Sequence, residues 1–193
     1  RNEIITMLRK NPSGHLPQIS ESAYIDPTAL ICGHVIIEDN VFVGPYAVIR
    51  ADEIDQQGQV APIRIKQDSN VQDGVVIHAL AGTEVIIGKS TSIAHRAVIH
   101  GPCTIGDNVF IGFNTVIIRT NISDNCVIRH SCVVDNIDLV TAVHVPPLTN
   151  IEPNYNLEKL PKLSAEYQQF SQSVVAANSL LVEGYKGLES ENI

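Results

Sequence analysis

A six-residue period of isoleucine and valine constrains this sequence more strongly than any other feature. The first column, which contains only Ile and Val, comprises Ile25, Ile31, Ile37, Val43, Ile49, Ile65, Val71, Ile77, Ile87, Ile93, Ile99, Ile105, Ile111, Ile117, Ile122, Ile128 and Val134. A second column, two residues earlier, is mostly small or β-branched and includes Cys103, Cys126 and Cys132. Residues two apart on a strand point to the same face, so both columns face inward. A short strand and a corner every six residues predict a parallel β-helix with three strands per turn.

Residues suited to tight corners lie between these columns. They are Gly44, Gly88, Gly106, Gly112, Asp39-Asn40, Asp107-Asn108 and Asp124-Asn125. Gly, Asn and Asp tolerate positive φ, so we expect the left-handed conformation at these corners. An amphipathic helix would need a 3.6-residue period, which this region lacks. The period is interrupted within residues 49–65 and 77–87, and we expect a loop leaving a corner in each interval.

The pattern changes after about residue 145, where several prolines mark a connector. Ser164 is a suitable N-cap for a helix that we predict to run to about Gly184. Its apolar stripe, which we expect to pack along the outside of the β-helix, is Tyr167, Phe170, Val174, Ala177 and Leu181. The predicted class is therefore all-β with a C-terminal helix. We divide the chain into an N-terminal extension (1–22), the β-helix (23–145), and a connector with the C-terminal α-helix (146–193) in the same domain.

The composition is ordinary for a globular protein of 193 residues, with 44% hydrophobic and 18% charged residues. A net charge of -8 argues against nucleic acid as a partner. No apolar run is long enough to cross a bilayer, so we expect no membrane association. We expect a cytoplasmic location, with secretion or a periplasmic location left open because the sequence starts at Arg1.

Three of the seven histidines, His78, His95 and His100, form a candidate ligand set, although a single histidine is more often a surface residue. His78 and His100 each follow an inward isoleucine by one residue and so point outward, one full turn apart. Adjacent strands lie about 4.8 Å apart, from which two imidazoles can reach one metal. His95 falls on the preceding face near a corner, and a neighbouring subunit could bring it to that metal.

This placement predicts a homotrimer with a shared site, because three prisms in head-to-tail contact close into a ring. Gln72 shares a face with His95 and should look at the same metal. Three neutral imidazoles leave a fourth position for water, which is the pattern of catalytic zinc. Zn²⁺ is therefore the expected cofactor, with Fe²⁺ or Co²⁺ as alternatives. Such a metal lowers the pKa of its water toward about 7 and supplies hydroxide.

At these residues the sequence resembles the gamma-class carbonic anhydrases, which are trimeric left-handed β-helices with an interfacial metal. The most specific stretches are residues 49–53, 70–78 and 94–102, and the match extends from about 24 to 185. The resemblance implies a lyase that reversibly hydrates carbon dioxide to bicarbonate with a metal-bound hydroxide at the subunit interface. It also implies the left-handed sense, and it matches His78, His95 and His100 to the metal ligands.

The resemblance implies roles for four polar residues near the metal. Gln72 matches the residue that hydrogen-bonds the metal-bound water, and Asn70 belongs to the same motif. Glu53 matches a proton-shuttle carboxylate, with an exposed turn carboxylate as the equally weighted alternative. Asn178 matches an active-site asparagine on the terminal helix, with a surface amide as its alternative.

Arg50 and Asp52 match a charged pair that bridges subunits, and Arg50 also matches a bicarbonate contact. A purely structural ion pair is at least as favoured for them. Two departures bear on the turnover rate. The long acidic loop of the founding members is reduced to residues 79–84, and Ala176 replaces an active-site tyrosine.

Two other classes of function stay open. A hexapeptide acyltransferase would bind coenzyme A between subunits and use one histidine as general base. A non-catalytic scaffold would keep the fold and the metal, and the short loop is compatible with it. Bound metal would argue against the acyltransferase, and measured turnover would argue against the scaffold.

Overall fold

The computed structural model describes residues 7–140 and 142–191, and it confirms the repeat architecture. All strands pair in parallel, and until the last turn each of three sheets takes every third strand as the chain winds through about seven turns. The fold is a left-handed parallel β-helix of hexapeptide repeats with one C-terminal helix. No helix among the described residues is long and apolar enough to cross a membrane.

The strands are short and regularly spaced. The first sheet contains β1 (Met7–Arg9), β4 (Leu30–Gly33), β7 (Val48–Ala51), β10 (Val76–Ala79), β13 (Val98–Gly101), β16 (Val116–Ile118), β19 (Val133–Asp135) and β21 (Asn150–Ile151). The second sheet contains β2 (Gln18–Ile19), β5 (Val35–Ile37), β8 (Ile63–Ile65), β11 (Val85–Ile87), β14 (Cys103–Ile105) and β17 (Asn121–Ile122). The third sheet contains β3 (Tyr24–Ile25), β6 (Phe42–Val43), β9 (Asn70–Val71), β12 (Ser92–Ile93), β15 (Phe110–Ile111), β18 (Val127–Ile128) and β20 (His144–Val145).

The two inward columns form the core. Every residue of the isoleucine–valine column except Ile25 is at most 2% exposed. Cys103, Cys126 and Cys132 are equally buried, and burial raises the pKa of each thiol. They therefore behave as small apolar core residues, as the sequence predicts.

The prediction of positive φ at the corners is confirmed only in part. It holds for the corner asparagines Asn40, Asn108 and Asn125. It is wrong for the corner glycines, which have no positive φ. A Cβ on Gly88 would lie 2.3 Å from the carbonyl carbon of Gly106, and a Cβ on Gly106 would lie 2.7 Å from the backbone nitrogen of Asp124. Gly44 and Gly112 are similarly crowded. Stacked corners, rather than backbone conformation, thus require glycine here.

The β-helix extends beyond both predicted limits. β1 and β2, from the predicted N-terminal extension, pair with β4 and β5, and β21 follows residue 145. The inward column continues at Ile19 and Ile151, six residues beyond Ile25 and Val145 respectively. The period itself therefore carries the signal for these outer strands. Loops leave the β-helix between β7 and β8 and between β10 and β11, as predicted.

A 3-10 helix, Leu157–Lys159, precedes α1, Ala165–Glu191, which continues seven residues past the predicted end at Gly184. Ser164 caps α1, because its Oγ accepts a hydrogen bond from the Tyr167 backbone N–H at 3.3 Å. The helix packs along the outside of the third sheet.

The buried face of α1 differs from the predicted stripe. The buried residues are Ser171, Asn178 and Val182, whereas Phe170 and Leu181 remain 38% and 42% exposed. Of the predicted stripe, Tyr167 and Val174 pack on the sheet. The difference places Asn178 against the sheet and leaves apolar side chains along an open groove.

Candidate metal centre

His78 and His100 lie side by side on β10 and β13 of the first sheet, as the repeat predicts. Ile77 and Ile99 beside them are fully buried, so both histidines project from the outer face. Their facing atoms, Nδ1 of His78 and Nε2 of His100, are 3.4 Å apart. Two nitrogens bound to one tetrahedral zinc at about 2.0–2.1 Å would be about 3.3–3.4 Å apart. The pair therefore fits two ligands of one metal.

The other ring nitrogens determine where the protons lie. Nε2 of His78 donates to Oδ1 of Asp52 at 3.1 Å, and Nδ1 of His100 donates to the carbonyl oxygen of Gly101 at 3.1 Å. A neutral imidazole has one N–H, so both facing nitrogens keep their lone pairs. Contacts of this kind orient metal-binding histidines and raise their basicity.

Two carboxylates approach this pair from the loop after β7. Asp52 Oδ2 accepts a charged hydrogen bond from Arg50 Nη1 at 2.5 Å within the same chain. Glu53 Oε1 lies 3.8 Å from His78 Nε2, and Glu53 Oε2 accepts the Ala81 backbone N–H at 2.9 Å. The Glu53 side chain is 41% exposed, so it links the histidine pair to solvent.

His95 lies on a different face, at the corner between the third and first sheets. Its Nδ1 is 3.5 Å from Oδ1 of Asp73, and its side chain is 46% exposed. Among the described residues, no group of three or more His, Cys, Asp and Glu side chains could hold a metal. One chain thus contributes a pair of candidate ligands on one face and a single candidate ligand on another.

A chain of amides accompanies His95 on the third sheet. Fully buried Asn70 donates to Ser92 Oγ at 2.8 Å, and Gln72 Nε2 donates to Asn70 Oδ1 at 2.9 Å. Asn178 is 8% exposed and donates to the Val174 carbonyl at 2.9 Å. Gln72, His95 and Asn178 line one groove between α1 and the corner of the β-helix.

Several residues of this region were missed at the sequence level. Phe113 forms an apolar part of the groove together with Phe170 of the predicted stripe, and the Phe113 ring centroid lies 5.2 Å from that of His95. Asn11, which is 5% exposed, donates to the Ala51 carbonyl at 3.0 Å and so fixes the backbone next to Asp52. Phe113 could have been found, because it occupies the corner position of His95 one turn later. Nothing in the sequence pattern indicates the contact of Asn11.

Comparison with known sequences identifies the family to which this chain belongs. A family model described as bacterial transferase hexapeptide (six repeats) matches residues 17–51 and 84–119. A carbonic anhydrase of Methanosarcina thermophila is 34% identical over 91% of this chain and 77% of its own length. The chain belongs to the gamma-class carbonic anhydrase family of hexapeptide-repeat proteins. A carboxysome assembly protein, CcmM of a Nostoc species, is 33% identical over 87% of this chain, which spans 31% of that protein.

Solved structures with low sequence identity share the fold. A hexapeptide transferase family protein from Anaplasma phagocytophilum has a TM-score of 0.78 at 21% identity, covering 93% of this chain and 98% of its own. A candidate acetyltransferase from Bacillus cereus has a TM-score of 0.80 at 21% identity, covering 95% and 99%. At this identity the similarity concerns the architecture alone.

Proposed function

We propose that this protein is a carbonic anhydrase that reversibly hydrates carbon dioxide at a metal site shared between copies of the chain. The observation that carries this proposal is the division of the three histidines between two faces. His78 and His100 form a pair with the spacing of metal ligands, and His95 stands apart beside Gln72 and Asn178. Each chain then holds one part of each of two centres, and neither centre is complete without a neighbouring copy.

A second copy of this chain is the natural supplier of the missing half. A heterologous contact between the two faces closes into a ring of three in a three-sided prism. Phe113, Phe170 and Leu181 are each about two-fifths exposed in the groove beside His95. Covering them adds apolar burial to the contact.

The proposed ligand set consists of His78 and His100 from one copy and His95 from the next. Three imidazoles suit Zn²⁺, with Fe²⁺ or Co²⁺ as alternatives. A metal so held activates water as a nucleophile near neutral pH. Asp52 orients His78 through Nε2, and Arg50 holds Asp52 in place.

The remaining residues position the reactants and the proton. The side-chain N–H of Gln72 donates to Asn70, which leaves Oε1 of Gln72 to accept a hydrogen bond from water. The side-chain N–H of Asn178 donates to the Val174 carbonyl, which leaves Oδ1 of Asn178 to accept a hydrogen bond from the hydroxyl of bicarbonate. Glu53 is half-exposed beside His78 and can accept a proton and release it to buffer.

A metal-binding scaffold without turnover is the second candidate, since the relatives include a carboxysome assembly protein. The two functions predict the same assembly and metal content, and they differ in activity. We expect stopped-flow carbon dioxide hydration by the metal-loaded protein, prepared with zinc in air or with iron under anaerobic conditions. His95→Ala should abolish it. Fully metallated protein without activity in any form would contradict the anhydrase and favour the scaffold.

A further inference from the structure

A second polar cluster lies beneath the N-terminal part of α1, away from the candidate metal centre. His144, which is 8% exposed, contacts Tyr167 with ring centroids 4.0 Å apart and ring planes tilted by 32°. The Arg129 guanidinium carbon lies 5.3 Å from the Tyr167 ring centroid and 5.9 Å from that of Phe170. The cluster therefore places one cation and one imidazole among aromatic rings.

Two buried nitrogens of this cluster have no hydrogen-bond partner. They are Nε of Arg129 and Nε2 of His144. None of the ion pairs within residues 7–140 and 142–191 includes Arg129. A cation–π contact provides no hydrogen-bond acceptor, so the Nε–H of Arg129 still needs one. Buried polar groups are nearly always paired, so these two nitrogens indicate a missing partner, which for Arg129 Nε–H is an acceptor.

The cluster is distinct from the candidate metal centre. Gln72, Ala94, Gly112 and Arg129 follow the inward residues of four successive strands of the third sheet, β9, β12, β15 and β18. At about 4.8 Å per strand, Arg129 lies about 14 Å from Gln72 along the β-helix. Phe170 contacts Arg129 and also lines the groove that contains Gln72, so the two regions adjoin.

We propose that Arg129 and His144 bind a small planar oxyanion of the carboxylate and bicarbonate class. The planar fork of arginine matches two oxygens of such an anion, and Nε2–H of His144 donates to it from the side. Burial, followed by the charge of Arg129, lowers the pKa of His144. The ring is then neutral, and the single charge of Arg129 matches a monoanion. The aromatic rings of Tyr167 and Phe170 favour a flat ligand over a spherical one. That bicarbonate is the natural ligand rests on the proposed function, whereas the anion binding itself does not.

The test uses the 193-residue chain with His100→Ala, which removes a proposed metal ligand so that only the second cluster is measured. Isothermal titration with acetate and with bicarbonate should show saturable binding of one anion per chain. Arg129→Gln should weaken it at least tenfold, whereas Arg119→Gln should not, because Arg119 is exposed and already paired with Asp135. Arg129→Lys keeps the positive charge near the rings but loses the planar fork, so it should also bind weakly while keeping the thermal midpoint measured without anion.

Three results would overturn the proposal: no saturable binding, equal binding by Arg129→Gln and Arg119→Gln, or chloride binding as tightly as acetate. The experiment needs neither metal nor turnover. A protein that binds acetate through Arg129 but hydrates no carbon dioxide would contradict the proposed function and leave the anion site standing.

Discussion

Nδ1 of His78 faces Nε2 of His100 across 3.4 Å, while Asp52 and the Gly101 carbonyl hold the protons on the opposite nitrogens. Two lone pairs at this separation repel unless a cation lies between them. The β-helix thus imposes an arrangement on adjacent strands that is favourable only with a bound metal or proton. The backbone register fixes the ring spacing, and the neighbouring oxygens fix the tautomers.

The role of Asp52 can be tested by metal affinity. Asp52→Asn removes the charged acceptor on His78 Nε2, and loss of such a contact typically weakens metal binding about 10–100-fold. Competition with a chromophoric chelator measures the change. Asp135→Asn is the matched control, because Asp135 lies in the same outward column two strands beyond His100 and pairs with exposed Arg119. Equal zinc affinity of both variants would contradict a role for Asp52 in orienting the ligand.

The close stacking of successive corners predicts how glycine substitutions change the free energy of unfolding. Gly88→Ala would place a Cβ 2.3 Å from Gly106, and we expect it to lower the free energy of unfolding by about 1–3 kcal/mol. Gly184→Ala on α1 meets no atom within 4 Å and should raise that free energy by about 0.5–1 kcal/mol. Urea denaturation followed by circular dichroism measures both. A Gly88→Ala variant as stable as the parent would show that the corners are not closely packed.

The raised pKa of Tyr24 leads us to expect that the protein loses stability at high pH. Burial, followed by the charge of Asp26, raises the pKa of its phenol to about 12 from 10.0. The neutral form is thus favoured by folding, and this contribution is complete below pH 10 and is lost as the pH rises toward 12. Between pH 9 and 11, the urea midpoint of the parent should fall more than that of Tyr24→Phe. Identical pH dependence in the two proteins would contradict the raised pKa.

The sequence predicted the fold because a six-residue period leaves few alternatives once the inward column is defined. It also placed His78 beside His100, since counting strands between Ile77 and Ile99 gives their register directly. Counting residues does not explain the glycines at the corners. Gly88 is required because the next turn crowds the position of a Cβ, and not because of a backbone preference.

The face of α1 was predicted less well because apolar spacing alone cannot distinguish the sheet from a groove. Phe170 and Leu181 satisfy the helical period and yet lie open, whereas Ser171 and Asn178 are buried. The repeat pattern gives His144 no role, and yet it is buried against Tyr167. Contacts between α1 and the third sheet depend on tertiary packing, which the repeat pattern does not encode.

The shared site is tested most directly with hybrid trimers. His78→Ala removes a ligand from one face and His95→Ala removes the ligand from the other, so neither variant alone can complete a site. In a closed ring of three, every mixed assembly restores one complete interface. Differently tagged variants are refolded together, and doubly tagged hybrids are purified for measurement of metal content and carbon dioxide hydration.

We expect no metal site in trimers of either single variant, about one metal per hybrid trimer, and about one-third of the activity of the unmodified trimer. Hybrids that neither bind metal nor hydrate carbon dioxide would contradict a site shared between copies. Full metal binding by either variant alone would contradict it equally.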